Sequence, residues 1–113
     1  MTAKAYSLNV GADGTALINI SPDKSGIQWT VGQTGVESVP NRATGTCTTR
    51  LNGNYVTSTA TLPASAGGQP AINIQATDTL SFLFQGLVQG DSAIVTLYYT
   101  ETPWGTIPKT DVV

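Results

Sequence analysis

Covalent and acid–base catalysis draw on few residue types, and this chain is nearly bare of them: no histidine, one cysteine and seven carboxylates scattered singly along 113 residues. Glu37 and Glu101 are the only glutamates. They could in principle serve as the acid and base of glycoside cleavage, but nothing in their spacing pairs them. A nucleophilic Cys47 would need a base to make its thiolate, and with no histidine to serve, the plain reading is a small strand residue. A calcium site asks for about six oxygens or more from clustered carboxylates. Asp13 in Gly-Ala-Asp-Gly and Asp23 after Pro22 each stand alone, and they read as turn residues bonded to their own backbone, as do Asp78 and Asp91. The expectation is a protein that is not an enzyme and holds neither metal nor cofactor.

Aromatic side chains are the remaining source of chemistry, because sugar rings stack on exposed tryptophan and tyrosine faces. Trp29 shares an alternation with Ile27 and Val31, which predicts a core position. Tyr98 and Tyr99 are neighbours and must point to opposite faces of one strand, so one is expected inside and the other outside. Trp104 follows Pro103 near the C-terminal end of the sequence and is the aromatic expected to be exposed.

The elements that would carry these residues alternate apolar and polar side chains in short runs, broken by glycine, asparagine, aspartate and proline about every ten residues. Ala5–Val10 and Thr15–Ile20 flank the Gly11–Gly14 turn and are expected to form a hairpin. Ile27–Val39 is a long strand with a bend expected at Gly32 or Gly35. Thr46–Leu51 and Asn54–Thr61 flank Asn52-Gly53, whose residues both tolerate the positive φ of a type I′ turn. The segment Leu62–Pro70, with its two prolines and two glycines, reads as a loop. Ala71–Ala76, Leu80–Gln85 and Ala93–Glu101 complete about eight strands, with an N-terminal arm over Met1–Tyr6 and an irregular tail over 102–113. No segment has the period of an amphipathic helix. These features predict one all-β domain, an antiparallel two-sheet sandwich of jelly-roll-like form, in preference to an up-and-down barrel.

Composition narrows the partners. Five basic against seven acidic residues give a net charge of −2, so no positive field is present to attract phosphate backbones, and nucleic acid is not an expected partner. Charged residues make up only 11% of the chain, and threonine, serine, asparagine, glutamine and glycine fill the polar positions. Such a surface repels weakly and suits close lateral packing. A lone cysteine cannot form an internal disulfide. Met1–Leu8 lacks the apolar core of a signal peptide, and no stretch reaches the roughly eighteen apolar residues of a membrane span, so the expectation is synthesis and folding in a cytoplasm without a membrane partner.

Five segments together carry a resemblance: Trp29-Thr30-Val31-Gly32-Gln33, Arg50-Leu51-Asn52-Gly53, Ala66-Gly67-Gly68-Gln69-Pro70, Asp78-Thr79-Leu80, and Gly90-Asp91-Ser92-Ala93 running into Val95–Glu101. In this order they resemble small virion proteins of tailed phages that infect actinobacteria, over about the central two thirds of the chain. The resemblance implies a non-enzymatic structural protein of the virion, made in the host cytoplasm. Within that class it implies a minor capsid or decoration protein, a homo-oligomer on the particle that binds the major capsid protein or other virion subunits. A tail or fibre component and a carbohydrate-binding adhesion module are the alternatives. Tyr6 in the arm and Trp104, Ile107, Val112 and Val113 in the tail are the expected partner-binding residues, since apolar groups beyond the last strand have little core of their own left to fill.

Overall fold

The structure, a computed structural model, describes residues 2–103, with the backbone alone at 57–58 and 65–71. Eight strands run in chain order as β1 (Thr2–Asn9), β2 (Ala16–Ile20), β3 (Ile27–Val39), β4 (Thr46–Leu51), β5 (Asn54–Thr61), β6 (Ala64–Gln75), β7 (Leu80–Gln85) and β8 (Ser92–Pro103). They form two four-stranded antiparallel sheets, one ordered β1-β8-β3-β6 and the other β2-β7-β4-β5. That is the order of an eight-strand jelly roll.

Period-2 patterning explains why these segments are strands and which way they face. In β8 the side chains of Ala93, Val95, Leu97 and Tyr99 turn inward and are buried, while Ile94, Thr96 and Tyr98 between them turn outward and are partly covered. β2 buries Ala16, Ile18 and Ile20, and β7 buries Leu80, Phe82 and Phe84. Between the sheets these meet Trp29, Val31 and Val36 of β3, Cys47 of β4 and Ile74 of β6 in one continuous core. β3 holds its apolar side inward over thirteen residues only because the ladder slips once: Val31 faces Tyr99, whereas Gln33 faces Tyr98, so Gly32 is the extra residue of a bulge. Past it Thr34, Val36 and Ser38 replace the odd-numbered positions on the inner side.

Several sequence expectations are met and others are corrected. Trp29 is 2% exposed, and Tyr99 lies inside while Tyr98 lies outside. The hairpin at Asn52-Gly53 has φ of +51° and +86°, as a type I′ turn requires. The expected β1–β2 hairpin does not exist: β1 pairs with β8 and β2 with β7, so Val10–Thr15 crosses from one sheet to the other. Its turn is still tight, since Gly14 N–H donates to Gly11 O and Gly11 N–H to Thr15 O. The expected arm is, from Thr2 onward, the edge strand β1, paired to β8 from Thr2↔Tyr99 to Asn9↔Ser92. The expected loop at 62–70 is mostly strand, because β6 is also an edge, where a residue lacking N–H leaves no ladder bond unmade on the open side. The tail shortens as well, because Thr102 and Pro103 still belong to β8 opposite Gln28 and Ile27.

Phe82 is fully buried between Ile18 and Thr49 on its two neighbouring strands. Phe82→Ala should therefore lower the unfolding free energy by about 3–5 kcal/mol, read by urea denaturation. Gly53→Val should destabilise through backbone strain alone, since a Cβ there would touch nothing within 4 Å yet φ is positive. Gly53→Asn, which tolerates that φ, should retain most of the stability.

Candidate functional site

Three groups of side chains stand out above the core: an aromatic cluster at one end of the sandwich, two polar clamps among the connections, and the two outward sheet faces. The aromatic cluster forms where the inner side of β1, β8 and β3 meets the β2–β3 connection. Trp29 and Tyr99 stack with ring centroids 4.2 Å apart and planes 25° from parallel. Trp29 Nε1–H donates to Glu101 Oε1 at 3.0 Å, which satisfies the one polar atom of a buried indole. The Lys4 ammonium lies 5.7 Å from the Trp29 ring centroid and 5.4 Å from that of Tyr6. Burial holds the hydroxyls of Tyr6 and Tyr99 above the ordinary tyrosine range, with the Asp23 charge adding to this at Tyr6. Trp29 and Tyr99 are buried by their own fold, so this stacked pair caps the end of the core and is not a platform for a sugar ring. Tyr6, expected to anchor a partner, is half-buried and packed against this core. Trp104, Ile107, Val112 and Val113 lie outside the described residues.

The clamps tie connections that are far apart in sequence. Arg42 in the β3–β4 connection donates from Nε to Asp91 Oδ2 at 2.8 Å and from Nη2 to Asp91 Oδ1 at 2.9 Å, a bidentate pair. Val88 N–H also donates to Asp91 Oδ2. The Arg42 guanidinium, followed by the Val88 amide, holds the buried Asp91 carboxyl below the usual carboxylate range. The same two connections touch again where Thr44 Oγ1 donates to Gly86 O at 2.7 Å. A side chain at Gly86, whose φ is +74°, would collide with the Thr44 carbonyl.

At the opposite end Asn52 Nδ2 donates to Asp78 Oδ1 and Asn52 Oδ1 accepts from Thr79 N–H, so the β4–β5 hairpin tip is fastened to the β6–β7 turn. The Asn52 amide and the Gln75 N–H lower the Asp78 pKa. Asp13 is the turn residue expected of it, accepting from Thr15 N–H and Oγ1, and Thr15 pulls its pKa down. Cys47 is buried, and burial pushes its thiol up to about 12 against a smaller opposing pull from Thr49. A thiol so raised stays protonated at neutral pH, as structural buried cysteines do. Among the described residues no three carboxylate or cysteine side chains gather as a metal site would need.

The outward faces are the extended surfaces left. Opposed residues share a face, so the register assigns them directly. On the first sheet β1 presents Ala3, Ala5, Ser7 and Asn9, and β8 presents Ile94, Thr96, Tyr98, Thr100 and Thr102. Of its described outward positions, Glu37 alone is charged. On the second sheet Leu17 and Leu83 lie side by side and, one register step on, Asn19, Ser81, Arg50 and Tyr55 form a row across all four strands. Ser81 Oγ donates to Asn19 Oδ1, and Arg50 donates to the Tyr55 hydroxyl with its guanidinium 4.6 Å from the ring centroid. Arg50 is the single described charge on that face. The other described charges sit in connections or, as Lys4 and Glu101, on the inner side.

Sequence reasoning reached Asp91 and Asp78 only as turn residues. Their partners Arg42 and Asn52 are 49 and 26 residues away, and no local pattern signals such a pair. The charge-poor faces did leave a trace, as the threonine, serine and alanine half of each alternation. No protein-family model matches this chain, and no curated protein or solved structure shows significant similarity to it.

Two outcomes follow from the titrating groups. As pH falls, the unfolded chain takes up protons on Asp78 and Asp91 before the folded one does, so stability present above their unfolded pKa values, about 3.9, is lost as pH drops through the lowered folded values. Asp91→Asn should reduce stability at pH 7 and flatten its acid dependence, measured by thermal unfolding from pH 7 to pH 2. Cys47 should resist a thiol-reactive disulfide reagent in the native protein and react fully once the chain is unfolded in guanidinium.

Proposed function

We propose that this chain is a non-enzymatic structural protein of a phage particle, a minor capsid or decoration protein that sits on the outer shell and reinforces contacts between major capsid subunits. The observation that carries this reading is the pair of broad sheet faces with one described charge each, on a scaffold whose connections are clamped by Arg42–Asp91 and Asn52–Asp78. Lattice seams reward such faces, because small uncharged side chains approach closely with little desolvation cost and symmetry repeats each weak contact many times. Jelly rolls build viral shells, although the architecture also serves lectins and cupins. The resemblance of five segments to small virion proteins of tailed phages agrees with the reading. In it, Trp104, Ile107, Val112 and Val113 are the apolar anchors on the neighbouring subunit.

A second reading, a carbohydrate-binding adhesion module, draws on Tyr55, which is 68% exposed beside Arg50 and the Asn52–Asn54 tip. A third, a tail or fibre component, shares the packing logic and differs in copy number. Quantitative peptide mass spectrometry of purified virions of the encoding phage separates them. Hundreds of copies per particle are expected. A handful would replace the shell assignment with tail or fibre, and absence from the virion would overturn the proposal.

Truncation after Pro103 removes the anchors while sparing β8. The truncated chain should keep the thermal midpoint of the full chain and lose binding to particles that lack it. Undiminished binding would remove the tail from the docking surface.

A further inference from the structure

Asn52 is the one asparagine of six that is followed by glycine. In any chain free to bend, that pair is chemically labile: the Gly53 nitrogen, having given its proton to a base, attacks the side-chain carbonyl carbon Cγ of Asn52. The N–Cγ bond forms and the Cγ–Nδ2 bond breaks. The side-chain nitrogen leaves as ammonia, taking up the proton that Gly53 gave, and a cyclic imide remains. Solvent water then opens the ring at either carbonyl and leaves an aspartyl or an isoaspartyl linkage at position 52. Glycine favours the attack because it has no side chain to obstruct approach to its nitrogen. The other five asparagines precede valine, isoleucine, arginine or tyrosine, whose side chains hinder it.

Steric cover does not protect this pair. Asn52 and Gly53 are exposed, and a Cβ built at Gly53 meets nothing within 4 Å beyond its chain neighbours. What restrains the reaction is the way the carboxamide is held. Its nitrogen donates to Asp78 Oδ1 at 3.0 Å and its oxygen accepts from Thr79 N–H at 2.8 Å, while Asn52 N–H donates to Thr79 O at 2.9 Å. Both ends of the amide are spent on the β6–β7 turn, so both hydrogen bonds must release before Cγ can swing to the Gly53 nitrogen. The product cannot be held in the same way. A carboxylate at position 52 has no N–H to donate, and it faces the Asp78 carboxylate at the place where the amide had lowered that group's pKa. An isoaspartyl linkage adds a carbon to the backbone of a two-residue loop closed by Leu51 and Asn54. We infer that Asn52 is a deamidation site latched shut by Asp78 and Thr79, and that its conversion unfastens the β4–β5 hairpin tip from the β6–β7 turn. The inference is a property of the isolated chain and does not depend on the particle reading.

Peptide mapping by mass spectrometry of the full chain, incubated in mildly alkaline buffer, reads the conversion at position 52. In denaturing urea Asn52 should convert ahead of every other asparagine. In the folded protein it should convert at least about tenfold more slowly, because the population with both hydrogen bonds released is small. Asp78→Ala frees the amide nitrogen and should bring the folded rate most of the way to the urea rate. Asp78→Asn keeps an acceptor oxygen and should fall between Asp78→Ala and the wild type. Asp91→Asn loosens the opposite end of the sandwich and should leave the rate at position 52 unchanged. Asn52→Asp, which tolerates the positive φ, should lower the thermal midpoint at pH 7 by about 2–5 °C. A folded wild type that converts as fast as the chain in urea overturns the inference, and so does a wild-type rate in Asp78→Ala. A rate raised as much by Asp91→Asn as by Asp78→Ala would trace the protection to global stability and overturn the latch, and an undiminished midpoint in Asn52→Asp would overturn the unfastening.

Discussion

One antiparallel pairing scheme organises everything else: the first strand pairs with the last, the second with the seventh, the third with the sixth and the fourth with the fifth. The chain is in effect a single long ribbon doubled back at Asn52-Gly53 and rolled until β3 lies against β8 and β4 against β7. Every connection but the hairpin must then cross between sheets, so the connections collect at the two ends. That is why the polar side chains that form the most hydrogen bonds are found there. Arg42–Asp91 and Asn52–Asp78 each join connections that the rolling brings together, and with the ends fastened the broad faces are free to be nearly uncharged.

Local chemistry made much of this legible. Alternation in β2, β7 and β8 announced both the strands and their buried sides, and the Asn-Gly dipeptide announced the fold-back point, because only a few residues accept positive φ twice in succession. The misreadings have equally physical origins. Gly-Ala-Asp-Gly closes a tight turn whether the strands leaving it pair with each other or part to different sheets, so turn chemistry alone could not say which. Pro63 and the glycines and proline beyond it argue against a central strand, but β6 is an edge strand, a distinction that depends on what lies beside it and not on its own residues. The clamps were invisible for the same reason, since Arg42 acquires meaning only when Asp91 arrives beside it.

The inward placement of Lys4 bears on association. β1 is an eight-residue edge with unpaired backbone groups, otherwise a ready template for another strand. An inward-pointing charge is one of the devices that blunt such edges, since covering the edge would strip water from the ammonium. Here the cation is tolerated because it rests against the faces of Tyr6 and Trp29. At this edge the buried-side cation disfavours open-ended addition of another strand.

The outermost pairing also sets a clock. Thr2 finds its partner in Tyr99, and at a synthesis rate of about 10 residues per second β1 leaves the ribosome roughly ten seconds before β8 does. For that interval β1 has no mate, while the β4–β5 hairpin emerges about halfway through it. The first sheet can be completed only after β8 is released, so the nascent molecule cannot present a finished face to any neighbour before its own folding is done.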